Sequence, residues 1–99
     1  MEQTQTLEQP EVEVSPDFYI SIWNDEKSIT EYVMVLLQRV FGMDELEAYD
    51  KVEEVQSFET AVVWEGPLEE GQILMTKCNS VKLEYHDKIG NLQITLQEM

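Results

Sequence analysis

The sequence predicts an α+β fold, βααβαβ, in which a small three-stranded antiparallel sheet packs against three helices. Three observations carry this expectation. Phe18, Ile20 and Ile22 alternate with Tyr19, Ser21 and Trp23, the period of two expected of a strand with unlike faces. Ile29, Tyr32, Val33, Leu36, Leu37, Val40 and Phe41 recur at spacings of three and four, an apolar stripe along one helix. Two short apolar runs, 60–64 and 92–96, flank a longer helical pattern, so helices and strands mix without the regular βαβ repeat of a parallel sheet.

Residues 1–16, MEQTQTLEQPEVEVSP, hold four glutamates, two prolines and no lysine or arginine, and are expected to form a flexible acidic tail ahead of one domain spanning 17–99. The first helix is expected to open at a capping box, with the Ser28 hydroxyl accepting from the amide of Glu31 and the Glu31 carboxylate returning to Ser28. Gly42 can take the left-handed conformation that ends it, and Asp44 with Glu47 repeats the cap-plus-acid pattern for a second helix, giving a hairpin. There Ala48, Val52 and Val55 form a narrow apolar stripe beside Leu46 and Tyr49, and the carboxylates read as a solvated face. TAVVW, 60–64, is a β-branched and aromatic strand, ended by Gly66 and Pro67, the latter suited to a first helical turn. Leu74, Cys78, Val81 and Tyr85 mark the third helix. Gly71 weakens its start by about 1 kcal/mol relative to alanine and suits close packing. HDKIGN, 86–91, reads as a turn before the last strand, in which Leu92, Ile94 and Leu96 alternate. Met34, Met43 and Met75 read as core fillers, and Trp23 and Trp64, at strand ends, as side chains closing the core's edge.

Composition narrows the chemistry. A formal net charge of −15 repels nucleic acid and anionic membrane. No stretch approaches a membrane span, and the beginning lacks the positive start and apolar run of a signal peptide, so a soluble, cytoplasmic protein is expected, and a monomer is the expected state. A lone cysteine, Cys78, on an apolar stripe and a lone histidine, His86, in a surface turn cannot assemble nucleophile-base pairs or zinc clusters. The expectation is a protein that is not an enzyme and needs no metal or cofactor.

The junction Asn24-Asp25-Glu26 admits two readings. It can be a turn, since Asn and Asp bond their own backbone. It can also be a polar rim, because a free α-amino group offers three donors that need acceptors when desolvated, and an Asn carbonyl, an Asp carboxylate and a further amide beside an apolar pocket supply them.

FYISIWNDEKSIT followed by EYVMVLLQRVFGM, with Leu37-Gln38-Arg39-Val40-Phe41-Gly42-Met43, then Glu47-Ala48, Ala61-Val62, Leu92 and Thr95-Leu96, resembles in order the ClpS family over roughly residues 17–99. These are adaptors that recognise N-terminal degrons for the Clp ATP-dependent protease. The resemblance implies a ClpS-like fold and a pocket for a bulky apolar N-terminal residue, whose α-amino group would be held by Asn24, Asp25 and Gln56. Ile22, Ser28, Thr30, Val33, Val52, Val55 and Leu92 would line the pocket, and Glu69 would dock the N-terminal domain of a Clp AAA+ unfoldase. Clients and unfoldase are thus the implied partners.

Several residues depart from the family pattern. Glu26 and Lys27 replace an acid and an aromatic, and Ile29-Thr30 replaces Pro-Met. Gln56 stands for a histidine, and Leu74 occupies a docking lysine's place. These departures keep open a diverged decoy or regulator that binds the unfoldase without delivering clients. An acidic DNA mimic and, lower still, a small hydrolase are readings from other classes.

Overall fold

The computed structural model describes residues 17–99 apart from Gly90, so the tail expected over 1–16 lies outside the described residues. The elements run β1 (Phe18–Trp23), α1 (Thr30–Phe41), α2 (Glu45–Phe58), β2 (Thr60–Gly66), α3 (Leu68–Glu84), α4 (His86–Ile89) and β3 (Gln93–Glu98). The strands form one antiparallel sheet in the order β2-β1-β3. The expected α+β class and three-stranded antiparallel sheet are both present.

Period-two alternation puts Ile20 and Ile22 of β1 on the face covered by helices, where they are fully buried with Leu36 and Leu37 of α1, Ala48, Val52 and Val55 of α2, and Cys78 and Val81 of α3. Register between β1 and β2 slips at a bulge: Ile20 pairs with Trp64 and Ser21 with Val62, leaving Val63 unpaired. The slip lets Val63 and Trp64 both join the core. Met34, Met43 and Met75 pack against its edge, as their sequence positions suggest. Trp23, by contrast, is not at the core's edge. Its neighbour Ile22 claims the core face, so Trp23 lies on the opposite face and donates its indole N–H to the Thr95 hydroxyl at 3.0 Å.

Gly42 ends α1 at φ 71°, and Asp44 and Glu47 form the full capping box of α2, with the Glu47 amide 2.8 Å from Asp44 Oδ1 and the Asp44 amide 3.2 Å from Glu47 Oε1. Gly71 matters for contact: a β-carbon there would come within 2.8 Å of a Leu96 methyl and 3.1 Å of the Trp64 ring. Its missing side chain is what lets α3 lie close on the sheet.

Three local expectations are corrected. Ser28 and Glu31 form no capping box; α1 begins at Thr30 with Ile29 as a cap lacking a side-chain bond, because the Ser28 hydroxyl is drawn into tertiary contacts instead. The turn expected at 86–91 begins as one helical turn, α4, which inserts the fully buried Ile89 beneath the β1–α1 junction. Pro67 precedes α3 as its cap residue rather than entering its first turn.

Candidate functional site

The site is the segment between β1 and α1, residues 24–29, held from two sides. On one side the Asn24 amide donates to the Glu59 carbonyl at 2.9 Å, and the Thr60 hydroxyl donates to the Ile22 carbonyl at 3.0 Å. Glu59 reaches this position by ending α2 in the left-handed region, at φ 72°. On the other side the Ile29 amide donates to the Lys88 carbonyl at 2.8 Å, and the Ser28 hydroxyl reaches the Ile89 carbonyl. The junction is therefore positioned by the ends of α2 and α4, two segments distant in sequence.

Within it, the Ser28 amide closes a turn onto the Asp25 carbonyl at 3.0 Å, and the Asp25 carboxylate accepts from the Ser28 hydroxyl at 2.8 Å and the Lys27 amide at 3.3 Å. The turn reading of the sequence is thus realised. The Ser28 hydrogen bond lowers the Asp25 carboxyl below its ordinary range. Partial burial opposes this, while the amides of Lys27 and Asn91 and the Lys27 ammonium reinforce it. At neutral pH Asp25 is a carboxylate.

Behind this turn lies a small hollow of about 30 Å³, open at its mouth. Ile22, Val33, Val52, Val55 and Leu92 form its apolar floor, each buried, and Asn24, Asp25, Ser28, Thr30 and Gln56 form its more exposed rim. Every residue to which sequence reasoning gave a pocket or amino-group role is brought to this one hollow. Gln56, on the last turn of α2, donates its amide to the Thr30 hydroxyl at 3.5 Å across the mouth, leaving its carbonyl as an acceptor. Asn24, Asp25 and Gln56 thus line the same hollow as five apolar side chains, and acceptors beside an apolar floor suit an ammonium group attached to an apolar side chain.

Glu69 does not line this hollow; it is exposed in the first turn of α3. Beside the mouth runs a second, polar groove of about 400 Å³ lined by Asn24, Asp25, Glu26, Lys27, Glu59 and Asn91. Sequence reasoning missed Glu59 and Asn91. Only the left-handed end of α2 and the return of the chain after α4 bring them here, and neither residue type signals it.

Catalytic groups are sparse. Cys78 is fully buried, and burial pushes its thiol up to about 12, so it is protonated at neutral pH. Among the described residues no group of three or more His, Cys, Asp or Glu is placed to hold a metal ion, and no helix is long and apolar enough to cross a membrane.

Comparison with known proteins follows the same lines. Residues 13–95 match the family described as ATP-dependent Clp protease adaptor protein ClpS. No curated protein matches in sequence. Among solved structures, Agrobacterium tumefaciens ClpS2 bound to L-phenylalaninamide shares the fold with a TM-score of 0.75 at 20% identity, covering 85% of this chain and 98% of that one. The match spans nearly the whole described domain, and the chain belongs to the ClpS family, the adaptor proteins of the ATP-dependent Clp protease.

Proposed function

We propose that this protein is a non-enzymatic adaptor that seats a client's bulky apolar first residue in the hollow behind the β1–α1 junction and delivers the client to a Clp AAA+ unfoldase. The single observation that carries the reading is the convergence of Asn24, Asp25 and Gln56 on the mouth of a cavity floored by five apolar side chains. Asn24 and Gln56 would accept from the α-amino group through their carbonyls and Asp25 through its carboxylate, which the Ser28 hydroxyl keeps ionised. Burial of the first side chain contributes roughly 1.5–3 kcal/mol and charge-assisted bonds a similar amount each, which suits micromolar affinity. The polar groove beside the mouth gives the rest of the client chain a wet exit. That Agrobacterium ClpS2 was solved with L-phenylalaninamide, which carries a free α-amine and an aromatic side chain, agrees with this chemistry. Delivery works by tethering, which raises local client concentration at the unfoldase without bond chemistry. Glu69, exposed on α3, is assigned to the unfoldase's N-terminal domain.

A second reading, a regulator that occupies the unfoldase without delivering clients, is favoured by Leu74. It stands where the family carries a docking lysine, and it is half-buried against the core beside an open hollow containing Phe41, Trp64, Ile73 and Lys77.

Fluorescent peptides beginning with Phe or Leu, with and without N-acetylation, test the first reading. Free amines should bind, acetylated copies should not, and Asn24→Ala should weaken binding about tenfold. Indifference to acetylation removes the reading, and capture by an isolated unfoldase N-terminal domain then supports the regulator.

A further inference from the structure

We propose that Tyr32, Tyr85 and Lys88 form a clasp that positions the amine acceptors: none of the three lines the hollow, yet together they hold α4 against α1 and so fix the turn that carries Asn24 and Asp25. The inference rests on the adaptor reading and adds three positioning residues to it.

The clasp closes between elements distant in sequence. Tyr32 lies in the first turn of α1, Tyr85 is the residue between α3 and α4, and Lys88 belongs to α4. The two tyrosine rings pack at 5.2 Å between centroids, tilted by 53°, and the Lys88 ammonium stands 5.9 Å from the centre of the Tyr32 ring, within reach of a cation–π contact. Further along α1, the Arg39 guanidinium donates to the Tyr85 hydroxyl at 3.5 Å and to Glu84 Oε1 at 3.3 Å, so α1 grips Tyr85 at two points.

What Tyr85 carries is α4 itself. Its carbonyl accepts from the amides of Lys88 at 2.8 Å and Ile89 at 2.9 Å, and a single helical turn is too short to be stable alone. The chain from Lys88 to Leu92 then serves the site. The Lys88 carbonyl accepts from the Ile29 amide at 2.8 Å, the Ile89 carbonyl from the Ser28 hydroxyl, the Asn91 amide reaches the Asp25 carboxylate, and Leu92 enters the floor. Buried Ile89 secures α4 from beneath, but apolar burial is non-directional; the rings and the ammonium orient the turn from outside. Acceptors ordered in advance spare the client the cost of ordering them, so loosening the clasp weakens binding without removing any group that touches the client.

The test uses the full chain, a fluorescent peptide beginning with Phe and its N-acetylated copy, and amide hydrogen exchange followed by NMR. Tyr32→Leu removes the ring and Tyr32→Phe keeps it; Lys88→Met removes the ammonium and Lys88→Arg keeps a cation. Tyr32→Leu and Lys88→Met should weaken free-amine binding by on the order of 3- to 10-fold and speed exchange of the Ile29 amide, leaving amides in the middle of α2 unchanged. Tyr32→Phe and Lys88→Arg should bind and exchange as the unaltered protein does. Lys88→Met keeps the test readable if Tyr32→Leu fails to fold. Unchanged affinity overturns the clasp, whether or not Ile29 exchanges faster. So does faster exchange at Ile29 and in α2 alike, which is general loss of stability, and so do conservative variants that lose as much as the others. If the unaltered protein does not prefer the free amine to the acetylated copy, the adaptor reading itself falls, a result read before any variant is made.

Discussion

Ser28→Ala removes one oxygen from the junction, and its cost can be worked from the contacts. The hydroxyl lies 2.8 Å from Asp25 Oδ2 and also reaches the Ile89 carbonyl. A hydrogen bond to a charged group nets about 1.5–3 kcal/mol when shielded; Asp25 is only partly buried, so screening reduces the pairwise share to about 1 kcal/mol. The hydroxyl has one proton to share, and the Ile89 carbonyl keeps the Leu92 amide at 3.3 Å, so loss of the second contact adds little. The variant should therefore lose about 1 kcal/mol, and a domain of 60–100 residues loses about 4–8 °C in Tm per kcal/mol.

The part that belongs to the Ser28–Asp25 pair is isolated by a double-mutant cycle with Asp25→Ala, read by chemical denaturation at pH 7. The pH is chosen by sign. Because the folded-state carboxyl is lowered, its stabilising share is fully present above the unfolded value near 3.9 and is lost as pH falls through the lower folded value. A coupling near 1 kcal/mol is expected. Coupling within about 0.3 kcal/mol of zero, the scatter of independent sites, would refute the claim that Ser28 holds Asp25 in place.

Two further outcomes follow from the same geometry. Gln56 carries no titrating group, so affinity for free-amine peptides should be flat from about pH 5.5 to 7 and fall above about 8 as the α-amino group deprotonates; Gln56→His should instead lose affinity severalfold below about pH 6.5, where an imidazolium faces the ammonium. Anisotropy titrations across pH check this, and superimposable profiles would contradict the placement of Gln56 on the rim. Glu59→Gly should stabilise the fold by about 0.5–1 kcal/mol in chemical denaturation, since relief of the left-handed backbone at φ 72° exceeds the added chain entropy. A loss of stability would mean that the Glu59 side chain contributes more than its backbone strain costs.

Much of the fold was legible because its signals are local. The alternation at Ile20 and Ile22, the stripe through Val33, Leu36, Leu37 and Val40, and the Asp44–Glu47 box each depend on residues a few positions apart, and all three features occur as read. The hollow's lining was reached through family resemblance, since its floor draws on β1, α1, α2 and the residue before β3, which no short-range pattern connects.

The amino-acid sequence by itself determined the order of elements and which face of each is apolar, because periodicity and capping act within one or two turns of chain. Only the tertiary structure decided what Ser28 does: its pattern reads as a helix cap, yet its hydroxyl bonds to Asp25 in the turn and to the Ile89 carbonyl, which packing brings within reach, and α1 begins after Ile29. It also decided that Ile89 plugs the space under the junction through a helical turn, that Val63 is squeezed into a bulge, and that Glu59 bends left-handed to hold Asn24 at the rim. Each is settled by long-range competition for burial and hydrogen-bond partners, and that competition exists only once the chain has closed on itself.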